Sequence, residues 1–379
     1  MKFCIEKNLL DAAAEAVAKA LPNRPSVPVL AGVKIVAADA DQVTLSGFDY
    51  EVSTEITYTG QVNAPGAALV SGRLLAAIAK ALPNKPVEVA SVGAHLELVC
   101  GSARFTLPTM PVEDYPALPD MPDPAGTVDA AAFAAAVAQV AVASGRDETL
   151  PLMTGIRIEI DGPDILMMAT DRYRLAVRKM SWTPSADRYA VKALVPGRNL
   201  ADTAKAQGTL GGDITLALNP EADGMIGLAG AGRRVTSRLL DGANYPPVMS
   251  LFPDPDKVAA NAVVSVAELT EVVKRVALVA ERTTPVLLTF SGDGLIVEAG
   301  GTEEARASEA MDITSYTGDP LTIGFNPQYL IDGLNHLGTS TAHLAFVDGI
   351  KPAVISPASP DGDATSDYRY LIMPIRVSR

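Results

Sequence analysis

Ala169-Thr170-Asp171-Arg172-Tyr173-Arg174-Leu175-Ala176 is the stretch on which the reading of the chain turns. An apolar run, Ile165 to Ala169, enters it as a strand; Thr170-Asp171 interrupts with a polar turn, and alternation resumes through Tyr173, Leu175 and Val177. That pattern is a β-hairpin or a bulged strand pair. It occurs again in the first third, where Val43 to Phe48, Asp49, and Tyr50-Glu51-Val52 keep the same order of apolar run, aspartate and resumed alternation. In the last third, Gly294 to Thr302 begins the same way but carries no aspartate.

The landmarks around the turn repeat as well. Val70-Ser71-Gly72-Arg73-Leu74-Leu75 is echoed by Val195-Pro196-Gly197-Arg198-Asn199-Leu200 and more loosely by Phe325 to Leu330, each opening a helical pattern. Asp114-Tyr115-Pro116 is echoed by Asn244-Tyr245-Pro246 where one unit would hand over to the next. Solenoid repeats are ~20 to 50 residues long, so a period this large means tandem duplication of whole domains. The expected units are 1–125, 126–253 and 254–379, each an α+β unit of two helices and six or more mostly antiparallel strands. The proline-rich segment Pro108 to Pro124 reads as a linker.

Helices are expected over Asn8–Leu21, Arg73–Leu82, Ala130–Ala143, Arg198–Lys205, Val266–Ala280 and Pro327–Leu337, with Ser265 as a cap. Antiparallel sheets with one covered face leave sticky free edges. Complementary edges at the two ends of the chain would permit two copies to close head to tail.

Composition narrows the chemistry. With 48% apolar and 20% charged residues the chain is a globular protein, and no apolar run is long enough to cross a bilayer; a cytoplasmic protein is expected. Cys4 and Cys100 sit in alternating apolar runs, and His95, His336 and His343 have no second ligand nearby in sequence, so neither disulfide, metal nor cofactor is expected. The net charge of −13 argues against a nucleic-acid ligand unless cations gather on one face. An enzyme would need more than Asp171 with Glu159 or Asp161, a carboxylate set whose spacing nothing fixes. No phosphate loop, nucleophile elbow or dinucleotide fingerprint is present, and Gly227 to Gly232 reads as a hairpin turn. A scaffold that presents peptide grooves without binding DNA is a further reading.

Three segments together, Ala169 to Ala176, Leu107 to Pro116, and Tyr370-Leu371-Ile372-Met373-Pro374-Ile375-Arg376-Val377, resemble the bacterial DNA polymerase III beta subunit family, the sliding clamps. The resemblance spans the whole chain in order. It implies three tandem copies of the DNA-clamp fold, two helices on antiparallel sheets in each, forming half of a closed ring. It further implies a non-catalytic processivity factor: a homodimer around duplex DNA that tethers the replicative DNA polymerase and other clamp-binding-motif proteins and is opened by a clamp loader.

Carried over by resemblance, a partner-peptide pocket between the second and third domains is lined by Met153, Thr170, Arg172, Tyr173, Arg174, Leu175, Pro246, Leu251, Leu371, Met373, Pro374, Ile375 and Arg376. Met, Leu and Pro offer an adaptable apolar surface, and Arg174 and Arg376 are expected to fix the peptide's backbone or acidic flank. Arg172 stands where many members carry a small residue, Ser250 where some carry a cation, and Ser378-Arg379 extends past the usual apolar end. Candidate DNA contacts are Arg24, Arg73, Lys80, Arg146, Arg198, Lys205, Lys274, Arg275 and Arg282, to phosphate and so without sequence preference. The ring joint is expected to pair the strand carrying Phe105 and Leu107 with an edge near Leu278. Taken by themselves, Asp171 reads as a turn cap, Tyr173 and Arg174 as surface strand residues, Leu371 to Ile375 as core, and each cation as a solvated charge.

Overall fold

The computed structural model describes residues 1–22, 24–25, 27–186, 188–219, 224–280, 284–300, 305–359, 362–364 and 367–376. Arg282 and Ser378-Arg379 lie outside the described residues, as do 301–304, where the third version of the turn was sought.

The repeat is visible strand by strand. In the first copy Gly32–Ala38 pairs with Gln42–Phe48, which pairs with Val52–Thr59; Gly66–Ser71 then leads into the helix Gly72–Ala81. The second copy runs Gly155–Asp161, Asp164–Thr170, Arg174–Ser181 and Ala190–Pro196 into the helix Gly197–Gly208. The opening strands of the two copies bury the same positions, because both alternate Val or Ile inward with a polar or small residue outward. The third copy, Val286–Ser291, Gly294–Ala299, Ala307–Met311 and Leu321–Phe325, leads into the helix Pro327–Asn335.

The glycine that opens the helix in the first two copies is a close-approach residue. A Cβ on Gly72 would stand 2.3 Å from a Leu21 methyl, and one on Gly197 would stand 2.8 Å from the Thr154 carbonyl. In the third copy Asn326 does the work instead: its Oδ1 accepts from the backbone N–H groups of Gln328 at 2.9 Å and Tyr329 at 3.2 Å, with Pro327 at the first helical position. Ser265 caps the helix Val266–Val276 by accepting from Glu268 N–H at 3.3 Å.

Three sequence repeats nevertheless form two compact units, because the sheets run on from one copy into the next. Unit one comprises 1–131, 183–186 and 206–239; unit two comprises 132–182, 187–205 and 240–379. Unit one holds one 14-stranded sheet in which Val52–Thr59 of the first copy pairs with Arg233–Arg238 of the second. Its core gathers Phe3, Leu10, Val17, Ile35, Leu45, Leu75 and Leu98 beneath the helices Lys7–Ala20 and Gly72–Ala81. Each side chain of that size, fully buried, contributes about 1.5–3 kcal/mol. Unit two holds a nine-stranded and a four-stranded sheet, and in the former Arg174–Ser181 pairs with Tyr368–Ile372.

The expected linker at 108–124 is not one. Pro108–Met110 completes the strand Ala103–Met110, Val112–Asp114 forms a 3-10 turn, and Tyr115 is buried with Phe48 and Leu69. Prolines there shape an extended chain that packs on its own unit, since the aromatic and aliphatic residues between them have apolar surface to cover. Eight strands, Gln61–Ala64, Gly66–Ser71, Pro124–Asp129, Thr183–Pro184, Ala190–Pro196, Ala260–Ser265, Ser315–Thr317 and Leu321–Phe325, are not expected from the sequence, because short runs beside turns carry little alternation. Among the described residues no helix is long and apolar enough to cross a membrane, and no cluster of three His, Cys, Asp or Glu could hold a metal.

Candidate functional site

The turn at Asp171 is built from its own side chains. Asp171 Oδ1 accepts from the N–H groups of Tyr173 at 3.0 Å and Arg174 at 3.1 Å. Thr170 Oγ1 accepts from Arg172 N–H at 3.2 Å and donates to the Arg174 carbonyl at 2.7 Å. Arg172 takes φ 79° to close the turn. Asp171 is therefore the turn cap that its position alone suggested.

Arg174 does not reach outward. Its Nε is 2.9 Å from Asp171 Oδ2, its Nη1 2.5 Å from Asp332 Oδ2 and 3.5 Å from Tyr370 Oη, and its guanidinium lies 4.4 Å from the centre of the Tyr329 ring. Its side chain is only 10% exposed. Desolvation pulls against the charge, but Tyr370, Asp332 and Asp171 outweigh it and hold the arginine above its ordinary pKa. Tyr370 Oη donates to the Tyr329 carbonyl at 2.9 Å, and burial pushes its phenol pKa up. Arg174, the residue expected to fix a peptide's backbone or acidic flank, is held by two carboxylates of its own chain, and it ties the turn to the helix Pro327–Asn335 and the strand Tyr368–Ile372.

Beside this network lies an apolar floor. Met168, Leu175, Val177, Val248 and Leu371 are buried together, with Leu166, Tyr245 and Phe252 packed against them. Above it four large apolar side chains stay exposed: Tyr173 at 53%, Leu251 at 50%, and Met249 and Met373 at 38% each. Two links bring them to one place. Met373 N–H donates to the Tyr173 carbonyl at 2.8 Å, while Met249 and Leu251 ride on the 3-10 turn Val248–Leu251, whose Val248 enters the floor. Exposed apolar groups of this size, gathered over a packed base, are the signature of a docking groove.

Of the residues expected in the pocket, Leu175 and Leu371 are floor and Thr170 is a buried turn residue; Tyr173, Leu251 and Met373 are rim. Pro246, Pro374 and Ile375 are half-buried, and Arg172 and Arg376 are exposed. Ile375 is tied down by its N–H to the Gly324 carbonyl at 2.8 Å. Met153, on the short helix Pro151–Thr154, is half-buried but is not part of the floor cluster; its carbonyl accepts from Gly145. Sequence reading missed Leu166, Met168, Val177, Tyr245, Val248, Met249 and Phe252. Tyr245 had a signal, since it lies inside the Asn244-Tyr245-Pro246 landmark; the floor residues carry none, because a floor residue and a core residue look alike in sequence, and Met249 has none as one apolar residue of a short turn.

The candidate DNA contacts Arg24, Arg73, Lys80, Arg146, Arg198, Lys205, Lys274 and Arg275 are all exposed. Arg73, in the first turn of the helix Gly72–Ala81, reaches the Pro22 carbonyl at 3.3 Å, and Lys80 is in its last turn. Lys274 pairs with Glu271 at 2.8 Å. Arg275 clasps Glu309 of the edge strand Ala307–Met311 with two bonds, 3.0 and 2.6 Å.

The expected joint residues separate as well. Residues 103–108 of the strand Ala103–Met110 pair with His95–Cys100, and among the described residues only Thr109 and Met110 are paired on its other side, so 103–108 presents an open edge. Leu107 points into the core at 1% exposure and Phe105 packs half-buried against the same core; the edge rather than Leu107 itself is what is free. Ala307–Met311 is an outer strand of the four-stranded sheet, and Leu278, on the 3-10 turn Ala277–Val279, is 84% exposed.

Tandem copies of one sheet-and-helix fold, with an apolar groove over Leu175, Val248 and Leu371, define a repeat-built docking protein. Comparisons make the class specific. Family models of the DNA polymerase III beta subunit match in three parts, the N-terminal domain over 1–119, the central domain over 127–247 and the C-terminal domain over 249–376. A beta sliding clamp from Streptomyces coelicolor is 48% identical over 100% of both chains. The DNA polymerase sliding clamp of Bacillus subtilis has a TM-score of 0.91 at 26% identity, covering 100% of both chains. A Pseudomonas aeruginosa sliding clamp bound to griselimycin gives 0.90 at 27%, again over 100% of both. The chain belongs to the DNA polymerase III beta subunit family.

Proposed function

We propose that this chain is a sliding clamp, a non-catalytic processivity factor of a replicative DNA polymerase, in the cytoplasm. The observation that carries this reading is the match of the whole chain, in three successive parts, to one family of clamps, together with an exposed apolar rim at Tyr173, Leu251 and Met373. Three clamp domains at 1–125, 126–253 and 254–379 make half a ring. Two copies close it head to tail when the open edge at 103–108 of one meets the outer strand Ala307–Met311 of the other, with Leu278 covered and Phe105 beneath.

Duplex DNA passes through the ring and meets cations on the helices: Arg73, Lys80, Arg198, Lys205 and Lys274, with Arg24 and Arg146 from adjoining segments. With those cations gathered inside, the chain's net charge of −13 leaves an acidic exterior that discourages DNA from the outside. Contacts of this sort hold phosphate without reading bases, which lets the ring slide. The groove over Leu175 and Leu371 takes a short peptide with apolar anchors from the polymerase, the clamp loader and other partners.

Topology is the test. Loaded on a nicked circular duplex, the protein stays bound until the circle is cut and then leaves from the ends; equal loss from intact and linearised DNA would overturn the reading. For the joint, Leu278→Asp converts dimers to monomers by light scattering without lowering the unfolding midpoint, since Leu278 supports no core. Phe105→Asp is the poorer probe, because Phe105 also packs on the interior of its own unit.

A further inference from the structure

Arg172 occupies backbone that suits glycine. At φ 79° it lies in the left-handed region, where a Cβ is sterically penalised and glycine is not. The turn does not need its side chain, because the turn's bonds come from Thr170 Oγ1, Asp171 Oδ1 and backbone groups. What the side chain does is project. It is exposed, with its guanidinium 5.9 Å from the centre of the Tyr173 ring, and no described carboxylate forms a salt bridge with it. Its field reaches Asp147, whose carboxyl is held below its ordinary pKa first by hydrogen bonds from Thr149 and last by the Arg172 charge. Two residues on, Arg174 is neutralised by Asp171 and Asp332. The outward positive charge of this turn is therefore that of Arg172, beside the exposed ring of Tyr173, with Arg376 at the end of the described chain also exposed.

We propose that Arg172 is a specificity-determining residue: a cationic lip on the groove that favours partner peptides with an acidic residue next to their apolar anchors. The inference rests on the peptide-groove reading above and adds the charge that the groove selects. A cation held against an aromatic face keeps its free N–H groups for a carboxylate, and an exposed pair of that kind depends on ionic strength.

The experiment uses the full-length protein and two synthetic peptides with the same two apolar anchors, one flanked by Asp and Glu, the other by Ser and Gln, titrated by calorimetry. The parent binds the acidic peptide about threefold to fivefold more tightly at low salt, and the difference shrinks at high salt. Arg172→Gly binds both peptides equally while its melting temperature does not fall, since glycine fits the backbone; Arg172→Lys keeps most of the preference. An acidic preference that survives in Arg172→Gly overturns the lip while leaving the groove standing. Failure of the parent to bind either peptide removes the groove reading, and the lip with it.

Discussion

The turn at Asp49 and the turn at Asp171 are one device put to two uses. Asp49 Oδ1 accepts from the N–H groups of Glu51 at 2.9 Å and Val52 at 2.7 Å, as Asp171 does from Tyr173 and Arg174. The residue after each aspartate has positive φ, 74° at Tyr50 and 79° at Arg172. Each turn then gives a carbonyl to an incoming strand, Glu51 to Arg238 N–H at 2.9 Å and Tyr173 to Met373 N–H at 2.8 Å. A tyrosine from the Tyr-Pro landmark packs close to each, Tyr115 buried in one unit and Tyr245 half-buried in the other; burial raises both phenols, that of Tyr115 to about 12.

The difference lies at one position. Where the first copy has Val52, the second has Arg174, and with it come Asp332, Tyr329 and Tyr370. The first joint is held by sheet pairing, the buried Ser53–Thr236 hydroxyl pair at 2.6 Å and Arg238 Nε on the Tyr50 carbonyl at 3.0 Å. In the second a buried ion network is added to the pairing. A duplicated turn thus fixes where two strands join, and a single substitution decides how rigidly a neighbouring groove is framed.

The comparison can be broken by mutation. Arg174→Ala leaves Asp171, Asp332 and Tyr370 without their shared partner and costs about 3 kcal/mol in denaturant unfolding. Its counterpart Val52→Ala costs about 1 kcal/mol, as the loss of a half-buried side chain does. Equal effects would mean that the network adds nothing to the joint. Tyr370→Phe removes the bond to the Tyr329 carbonyl and the contact to Arg174 but keeps the ring, so about 1 kcal/mol is expected in the same assay. Tyr50→Gly should stay within about 1 kcal/mol of the parent, because glycine relieves the left-handed backbone while giving up the edge contact with Phe48. A large loss there would show that the first turn, unlike the second, depends on the side chain at this position.

Much of this was legible before any coordinates. The strands His95–Cys100, Val286–Ser291 and Gly294–Ala299 alternate visibly in the sequence, since one buried face per strand imposes a period of two. The turn cap at Asp171 and the helix cap at Ser265 were readable because both act on backbone two or three residues away. The role of Arg174 was not, because Asp332 and Tyr370 lie 158 and 196 residues along the chain. Nor could the fate of Arg275 be read, which depends on Glu309 across a sheet.

By itself, then, the sequence determined the triplicated plan, the family and the local turns, all of which follow from interactions within a few residues and from the spacing of apolar side chains. Tertiary structure alone decided that three copies form two compact units, that Leu107 is core while Leu278 is surface, and that of two arginines in one turn Arg174 is locked by carboxylates while Arg172 is exposed. Strand pairing and charge neutralisation between distant segments settle such matters, and neither leaves a periodic trace in the chain.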